Sequence, residues 1–301
     1  MIALLSGGTG GAKLARGLLD EADDLVVVAN TGDDAEAYGI HVSPDPDLVT
    51  YWLADQIDER GYGLRGDTFV VMEALRAAGH DTWFQLGDRD LAMCLIRTQA
   101  LRLGRRLTEA HAAVVAAMGV DARVLPMCDE PVATFVRHGG REIAFQEYMI
   151  LEGAPAPVEG VALRGVERAQ PTSEVLAALS AAELIVVGPS NPVISIGPIL
   201  AVPGMRQALA VAAAPVIAVS PFVGGRSVKG PTDQFCEWAG TERTAAGVAR
   251  AYAEVVDAVV ADEVVEGRPS LVTDTAMPDA ERRRQLAREI LEFGRNLAGA
   301  A

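Results

Sequence analysis

Positive charge is what this chain of 301 residues has little of. It carries 26 Lys and Arg against 41 Asp and Glu, a formal net charge of −15. So acidic a surface repels a phosphate backbone, which excludes general nucleic-acid binding and confines any phosphate site to a local arrangement. Lysine is scarcer still: Lys13 and Lys229 stand alone, each in a glycine-rich stretch. Cys94, Cys128 and Cys236 lie far apart without metal-ligand spacing, and their odd number argues against a disulfide framework. No basic segment followed by a long apolar run opens the chain, so no signal peptide is expected. The longest apolar run, around Ala208 to Val219, contains Pro215 and is too short to span a bilayer. Repeats, long linkers and Ser-His or Cys-His constellations are lacking as well. The expectation is a soluble cytoplasmic protein, half hydrophobic, large enough for one α/β domain or two smaller ones.

What is present begins at the N-terminus. Met1 to Leu5 reads as a buried strand, and Gly7, Gly8, Thr9, Gly10, Gly11 and Lys13 lead into a helix with Leu14, Leu18 and Leu19 on one side. Glycines there let backbone N–H groups approach an anion at the positive end of a helix, so these residues are candidates for a nucleotide phosphate. The spacing fits neither the dinucleotide fingerprint nor Walker A. The other reading is a turn that packs a helix on a sheet.

Asp24 to Ala29 is a second buried strand, ending at Asn30-Thr31-Gly32-Asp33-Asp34. Two strands joined by one helix form a right-handed βαβ unit, whose ligands collect at the carboxyl ends of the strands. Asp33 and Asp34 then stand beside the glycine loop, where a carboxylate pair near a phosphate calls for a cation, usually Mg²⁺. Asp45 and Asp47 follow, alternating with prolines before a helix through Ile57. They are a second pair of candidate ligands, or else caps of that helix. Asp67 reads as the cap of another helix. Trp83 to Leu86 reads as a short strand running into Asp88-Arg89-Asp90, where Arg89 binds an anion or pairs internally.

From residue 121 to 171 the texture is β-rich, with ARVLPM, ATFVRH and REIAFQEYM read as strands. The wound pattern resumes at Glu183 to Gly188, followed by the rigid polar loop Pro189-Ser190-Asn191-Pro192. A second glycine loop, Phe222 to Pro231, carries Arg226 and Lys229. The fold expected is α/β: a Rossmann-like, doubly wound, mostly parallel sheet from 1–120 and 172–301, with a β-rich insertion at 121–171.

Together, SGGTGGAKLARGL, NTGDD, SPDPDLVTYWLADQID, LGDRDLA, LPMCDEPVATFV, FQEYMI, GPSNPVISIGPIL and SPFVGGRSVKGP resemble the 2-phospho-L-lactate transferase family of coenzyme F-420 biosynthesis. The likeness runs in register from Met1 to about Asp274. It implies transfer of a phospho-lactyl or phospho-enolpyruvyl group from a guanosine diphosphate-linked three-carbon acid to the ribityl hydroxyl of the deazaflavin Fo. GMP leaves, Mg²⁺ is required, and the enzyme is a homodimer. On this resemblance Gly7 to Lys13 with Ser190 and Asn191 hold the nucleotide, and Asp34 and Asp47, with Asp33 and Asp45 as near alternatives, hold the metal, or one of them accepts the hydroxyl proton. Asp34, Asp47 and Arg89 serve catalysis, while Asp47, Asp88 and Arg89 line the deazaflavin site. The sequence departs from the family at Pro46, commonly leucine, and at Gln85, lysine in some members. The alternative is a non-catalytic nucleotide-sugar-binding regulatory protein of the related gluconeogenesis-factor type, which shares mainly the glycine loop.

Overall fold

The computed structural model describes residues 1–227 and 230–300, so Lys229 of the second glycine loop lies outside the described residues. Strand β1 (Ile2–Ser6) runs into α1 (Gly8–Glu21) and returns as β2 (Leu25–Ala29). A hairpin of β3 (Ala35–Ala37) and β4 (Ile40–Val42) leads to helices α2 (Pro44–Leu53), α3 (Val70–Ala77), α4 (Asp88–Arg102) and α5 (Leu107–Ala117). Next come β5 (Arg123–Pro126), β6 (Ala133–His138), β7 (Arg141–Ala144), α6 (Phe145–Ile150) and β8 (Gly160–Arg164). Helix α7 (Ser173–Ala181), β9 (Leu184–Val187), α8 (Ile196–Ala201), α9 (Met205–Ala210) and β10 (Val216–Val219) return to the main sheet. The chain closes with β11 (Phe222–Val223), β12 (Arg226–Ser227), α10 (Thr232–Ala239), α11 (Ala245–Ala251), β13 (Ala258–Ala261), β14 (Ser270–Val272) and α12 (Ala280–Ala300).

Seven of the strands make one parallel sheet in the order β14-β13-β10-β9-β1-β2-β5. Runs such as LVVVA and LIVV are buried on both faces, as a parallel sheet covered by helices on each side demands. Alternate residues feed different cores. Ala3, Leu5, Val26 and Val28 pack with α7, α8, α9 and α11, whereas Leu4, Val27 and Val186 pack with α1, α2 and α12. The chain winds outward from β1 to β2 and β5, then restarts on the other side of β1 at β9. The Rossmann-like expectation is thus met, and the switch point falls between β1 and β9, where such sheets bind ligands.

Three local expectations change. Arg123–Pro126 is the edge of the main sheet, in register with β2, so that part of the 121–171 stretch belongs to the large sheet. The antiparallel trio β7-β6-β8 lies within 133–164. Phe145–Ile150 is a helix, because Phe145 and Tyr148, three apart, both turn inward beside Val136 and Phe235. Trp83 to Leu86 forms no strand. The Tyr38 hydroxyl satisfies Phe84 instead, accepting from its N–H at 3.0 Å and donating to its carbonyl at 2.8 Å. Phe84 and Leu86 anchor this loop against Met72 and Cys94.

The tightest approach between the two halves is at α1. A Cβ on Gly10 would sit 2.0 Å from the Pro189 carbonyl oxygen, and one on Gly11 would sit 2.3 Å from Ser6 Oγ. Gly10→Ala should therefore destabilise by about 1–3 kcal/mol through overpacking. Gly299→Ala, which meets open space in α12, should be neutral or stabilise by roughly 0.5–1 kcal/mol. Thermal melting of both variants checks the contrast, and equal melting points would contradict the packing role.

Candidate active site

The N-terminus of α1, at the carboxyl end of β1, is already met by a carboxylate. Gly8, at φ +65°, donates its N–H to Asp45 Oδ1 at 2.7 Å. Gly11 N–H donates to Ser190 Oγ at 3.1 Å. A Cβ on Gly7 would fall 2.8 Å from that of Ser195. The packing reading has a place here. Gly7, Gly10 and Gly11 let α1 close on the loop after β9, and Gly8 binds an anion that is the chain's own Asp45. Asn191 shapes that loop, its Oδ1 accepting from Val193 N–H at 2.8 Å and Ile194 N–H at 3.3 Å, while its Nδ2 is buried without a partner. Thr9 and Lys13 line a cavity of about 450 Å³ with Trp52, Arg60, Arg65 and Arg283 and with the acidic Asp55, Asp58 and Glu59, where Arg60 pairs with Asp58 at 2.6 Å. Lys13 Nζ donates to the Met277 carbonyl at 3.1 Å and lies 5.9 Å from the Trp52 ring centre.

Beside α1 lies a group of buried carboxylates. Asn30 orders the loop after β2: its Oδ1 accepts from Gly32 N–H at 2.8 Å and its Nδ2 donates to Asp45 Oδ2 at 2.9 Å. Both Asp45 oxygens are therefore engaged, and burial still pushes its carboxyl up to about 6. Asp47, one turn into α2, meets Arg97 of α4 in a bidentate pair, with bonds of 2.6 and 2.7 Å and neither side chain more than 5% exposed. Although burial opposes it, the Asp47 carboxylate holds Arg97 above its ordinary value. Asp33 and Asp34 differ from this pair. Asp34 Oδ1 accepts from Ser43 Oγ at 2.7 Å, but Asp34 Oδ2 and Asp33 Oδ1 are buried without a hydrogen bond. Burial first, and for Asp33 the neighbouring Asp45 next, raises both carboxyls well above the usual range. The two line a smaller cavity, about 160 Å³, with Glu36, Trp83, Thr134, Phe145 and Gln146.

These residues suit a hard divalent cation. All donors are oxygens, two oxygens are open, and Mg²⁺ needs only one or two carboxylates when waters and substrate phosphates complete its shell. The open oxygens belong to Asp33 and Asp34, whereas Asp45 and Asp47 already serve Gly8, Asn30 and Arg97. The four aspartates do not close on one point. Among the described residues, the trio of metal-ligand type within 4.8 Å is Asp47, Asp90 and Cys94, and Arg97 lies against it.

The Asp88-Arg89-Asp90 stretch opens α4 at its junction with α3. Asp88 accepts from Thr68 Oγ1 at 2.6 Å and from Val70 and Val71 N–H at 3.0 Å each, so it caps α3. The Thr68 hydroxyl, then the Val71 N–H, hold its carboxyl low. Asp67, expected to cap α3, instead accepts from Arg89 and Asp90 N–H at 2.9 and 3.0 Å and caps α4. The two aspartates cross-cap, because each helix N-terminus faces the loop that opens the other. Arg89 pairs with neither neighbour; it donates to Gln56 Oε1 at 2.6 Å and the Arg65 carbonyl at 3.1 Å. Asp90 accepts from Tyr51 Oη at 2.7 Å, and burial, then Asp47, raises it to about 6.

Sequence reasoning missed Arg97, His41, Asn30 and Tyr51. The one cue to Arg97 was a charged residue on the same helical face as Cys94 and Thr98, within CLIRT. Arg97→Leu leaves Asp47 buried without its partner and should cost about 3–5 kcal/mol, read as a fall in the urea midpoint; an unchanged midpoint would contradict the pair's role. The pH dependence follows from Asp90. Its folded carboxyl keeps a proton to about pH 6, while the unfolded one releases it near pH 4. Between those values the folded state binds more protons, so this group makes stability fall as pH rises. Asp90→Asn, which can still accept from Tyr51, should flatten that fall in melting curves, and an unaltered slope would contradict the assignment.

The geometry places the chain among known proteins. The profile of the family described as 2-phospho-L-lactate transferase CofD matches residues 2–292. A phosphoenolpyruvate transferase of Streptomyces coelicolor is 40% identical over 317 residues, covering 99% of each chain. A 2-phospho-L-lactate transferase of Methanopyrus kandleri is 38% identical, again over 99% of each chain, and one of Methanosarcina acetivorans is 38% identical over 94% of this chain and 96% of its own. Among solved structures, a UPF0052-family protein of Bacillus halodurans shares the fold, with a TM-score of 0.63 and 16% identity over 96% of this chain and 98% of that one. The motifs, the switch-point geometry and the full-length likeness agree: the chain is a transferase and belongs to the 2-phospho-L-lactate transferase CofD family.

Proposed function

We propose that the protein transfers a phospho-lactyl or phospho-enolpyruvyl group from a guanosine diphosphate-linked three-carbon acid to the ribityl hydroxyl of the deazaflavin Fo, releasing GMP. The observation that carries this reading is the pair of open carboxylate oxygens on Asp33 and Asp34 at the ligand-binding edge of the sheet. Membership of the family supports the substrate classes. In the reaction an oxygen–phosphorus bond forms from the hydroxyl and the bond to the leaving GMP breaks, so no side-chain nucleophile is required.

The chain's own residues divide this work. Asp33 would hold Mg²⁺, which would supply charge neutralisation at the diphosphate. Asp34, whose Oδ2 is open, takes the hydroxyl proton. The cavity of Thr9, Lys13, Trp52, Arg60, Arg65 and Arg283 offers a nucleotide diphosphate chiefly Lys13 and Arg283, since Arg60 and Arg65 stand beside Asp58 and Asp55 of the same lining. It begins one residue from Gly8, whose N–H fixes Asp45. The smaller cavity of Asp33, Asp34, Trp83 and Phe145 offers apolar surface for the acceptor. Asp45 and Asp47 act from behind as fixed anions. Among the described residues no helix is long and apolar enough to cross a membrane, which accords with work on soluble metabolites in the cytoplasm, and a homodimer is the proposed assembly.

Purified protein, Fo, Mg²⁺ and each candidate donor should give Fo-dependent GMP release with one of them, and product mass names the acid. Asp34→Asn should lower the rate about 10²–10⁴-fold, the span of a general base. Without protein activity on any donor, but with a nucleotide-sugar still bound, the non-catalytic binding reading would replace this one.

A further inference from the structure

We propose that Arg97 and His41 are positioning residues: they form a relay that joins Asp47 to Asp34 and fixes the direction in which the Asp34 carboxylate faces the reacting groups. The relay rests on the reading of Asp34 given above. It starts from a point of chemistry, that a guanidinium has donors and no acceptor. Arg97 Nε–H points at His41 Nδ1 from 3.2 Å. That ring nitrogen must therefore be the bare one, and the imidazole carries its proton on Nε2. Nε2 lies 3.4 Å from Asp34 Oδ2, the oxygen with no hydrogen bond of its own. The other Asp34 oxygen accepts from Ser43 at 2.7 Å. Asp34 Oδ1 is thus held by Ser43, and the open Oδ2 has His41 Nε2 beside it, beyond a formed hydrogen bond.

The grip on His41 is unusually complete. Its backbone N–H donates to Thr98 Oγ1 at 2.8 Å, its carbonyl accepts from Arg97 Nη2 at 3.1 Å, and its ring accepts from Arg97 Nε. Two consecutive residues of α4 therefore hold the hairpin strand β4 by three atoms. Arg97 is itself held by both Asp47 oxygens and is fully buried. Both Asp47 oxygens are held by the Arg97 guanidinium, and Asp47 reaches the chemistry by orienting Arg97, which sets the tautomer of His41, whose Nε2 lies beside Asp34. Such supporting partners usually matter 10–100-fold.

The test uses the full-length protein with ¹⁵N-labelled histidine, the His41 signals being assigned by their loss in His41→Gln. Nitrogen shifts should show His41 at neutral pH with Nε2 protonated and Nδ1 bare. Arg97→Lys, which cannot serve Asp47 and His41 together, should give a mixture of tautomers. A wild-type Nδ1–H tautomer, or one indifferent to Arg97→Lys, would overturn the relay. In the transfer assay His41→Leu should lower kcat about 10–100-fold with little change in KM for the donor. His41→Gln should recover most of it, since its amide both accepts and donates. Full activity in His41→Leu, or no difference between the two variants, would also overturn the proposal. If wild-type protein transfers nothing, the function has failed, and the nitrogen shifts still decide the relay.

Discussion

The ion pair between Asp47 and Arg97 is the constraint on which the rest of the site depends. Aspartates 33, 34, 45, 47 and 90 gather in and around one buried region, and among the described residues Arg97 is the fully buried cation there. A buried pair offers weak net stability, because desolvation offsets attraction, but removing one partner is costly. Its value here is positional. It ties α2 to α4 through both oxygens and leaves Arg97 free on its other edge to hold the β3–β4 hairpin. With Asp47 and Asp45 both engaged, Asp33 and Asp34 keep the open oxygens; burial first, and the neighbouring aspartates after it, raises their carboxyls, and a cation suits them.

The same logic runs through the glycine loop. A phosphate loop is ordinarily a set of open N–H groups. Here Gly8 is filled by Asp45, and Gly11 by Ser190. The glycines are required for closeness: they let the halves of the sheet meet at the switch point with the Pro189 carbonyl almost touching α1. The helix dipole is thereby spent on Asp45, which Asn30 also holds, and Lys13 turns to the larger cavity.

Much of this was legible in the sequence, for identifiable reasons. Short apolar runs of β-branched residues marked β1, β2, β9, β10 and β13, since strands buried on both faces leave no alternative pattern. The polar loops after them could be placed because the carboxyl edge of a parallel sheet is fixed by topology. Arg97 was hidden because its partner lies 50 residues away and a lone arginine on a helix ordinarily reads as solvent-facing. Asp67 read as the cap of the helix it precedes, and only the fold shows that it and Asp88 exchange helices. Trp83 to Leu86 looked like a strand, yet the Tyr38 hydroxyl replaces a neighbouring strand for Phe84. Phe145 to Ile150 mixed aromatic and polar residues in a way that alternation and helical spacing both fit, until Tyr148 packed on Phe235.

The central claim is that Asp33 and Asp34, and not Asp45 or Asp47, present the open oxygens of this site. Crystals grown or soaked with Mn²⁺ in place of Mg²⁺, measured for anomalous scattering, test it most directly. The account predicts a peak within about 2.0–2.3 Å of an Asp33 or Asp34 oxygen, the range of hard-cation coordination, with the Asp47–Arg97 pair intact. A peak coordinated by Asp47 with Arg97 displaced, or no peak beside any of these carboxylates, would contradict it.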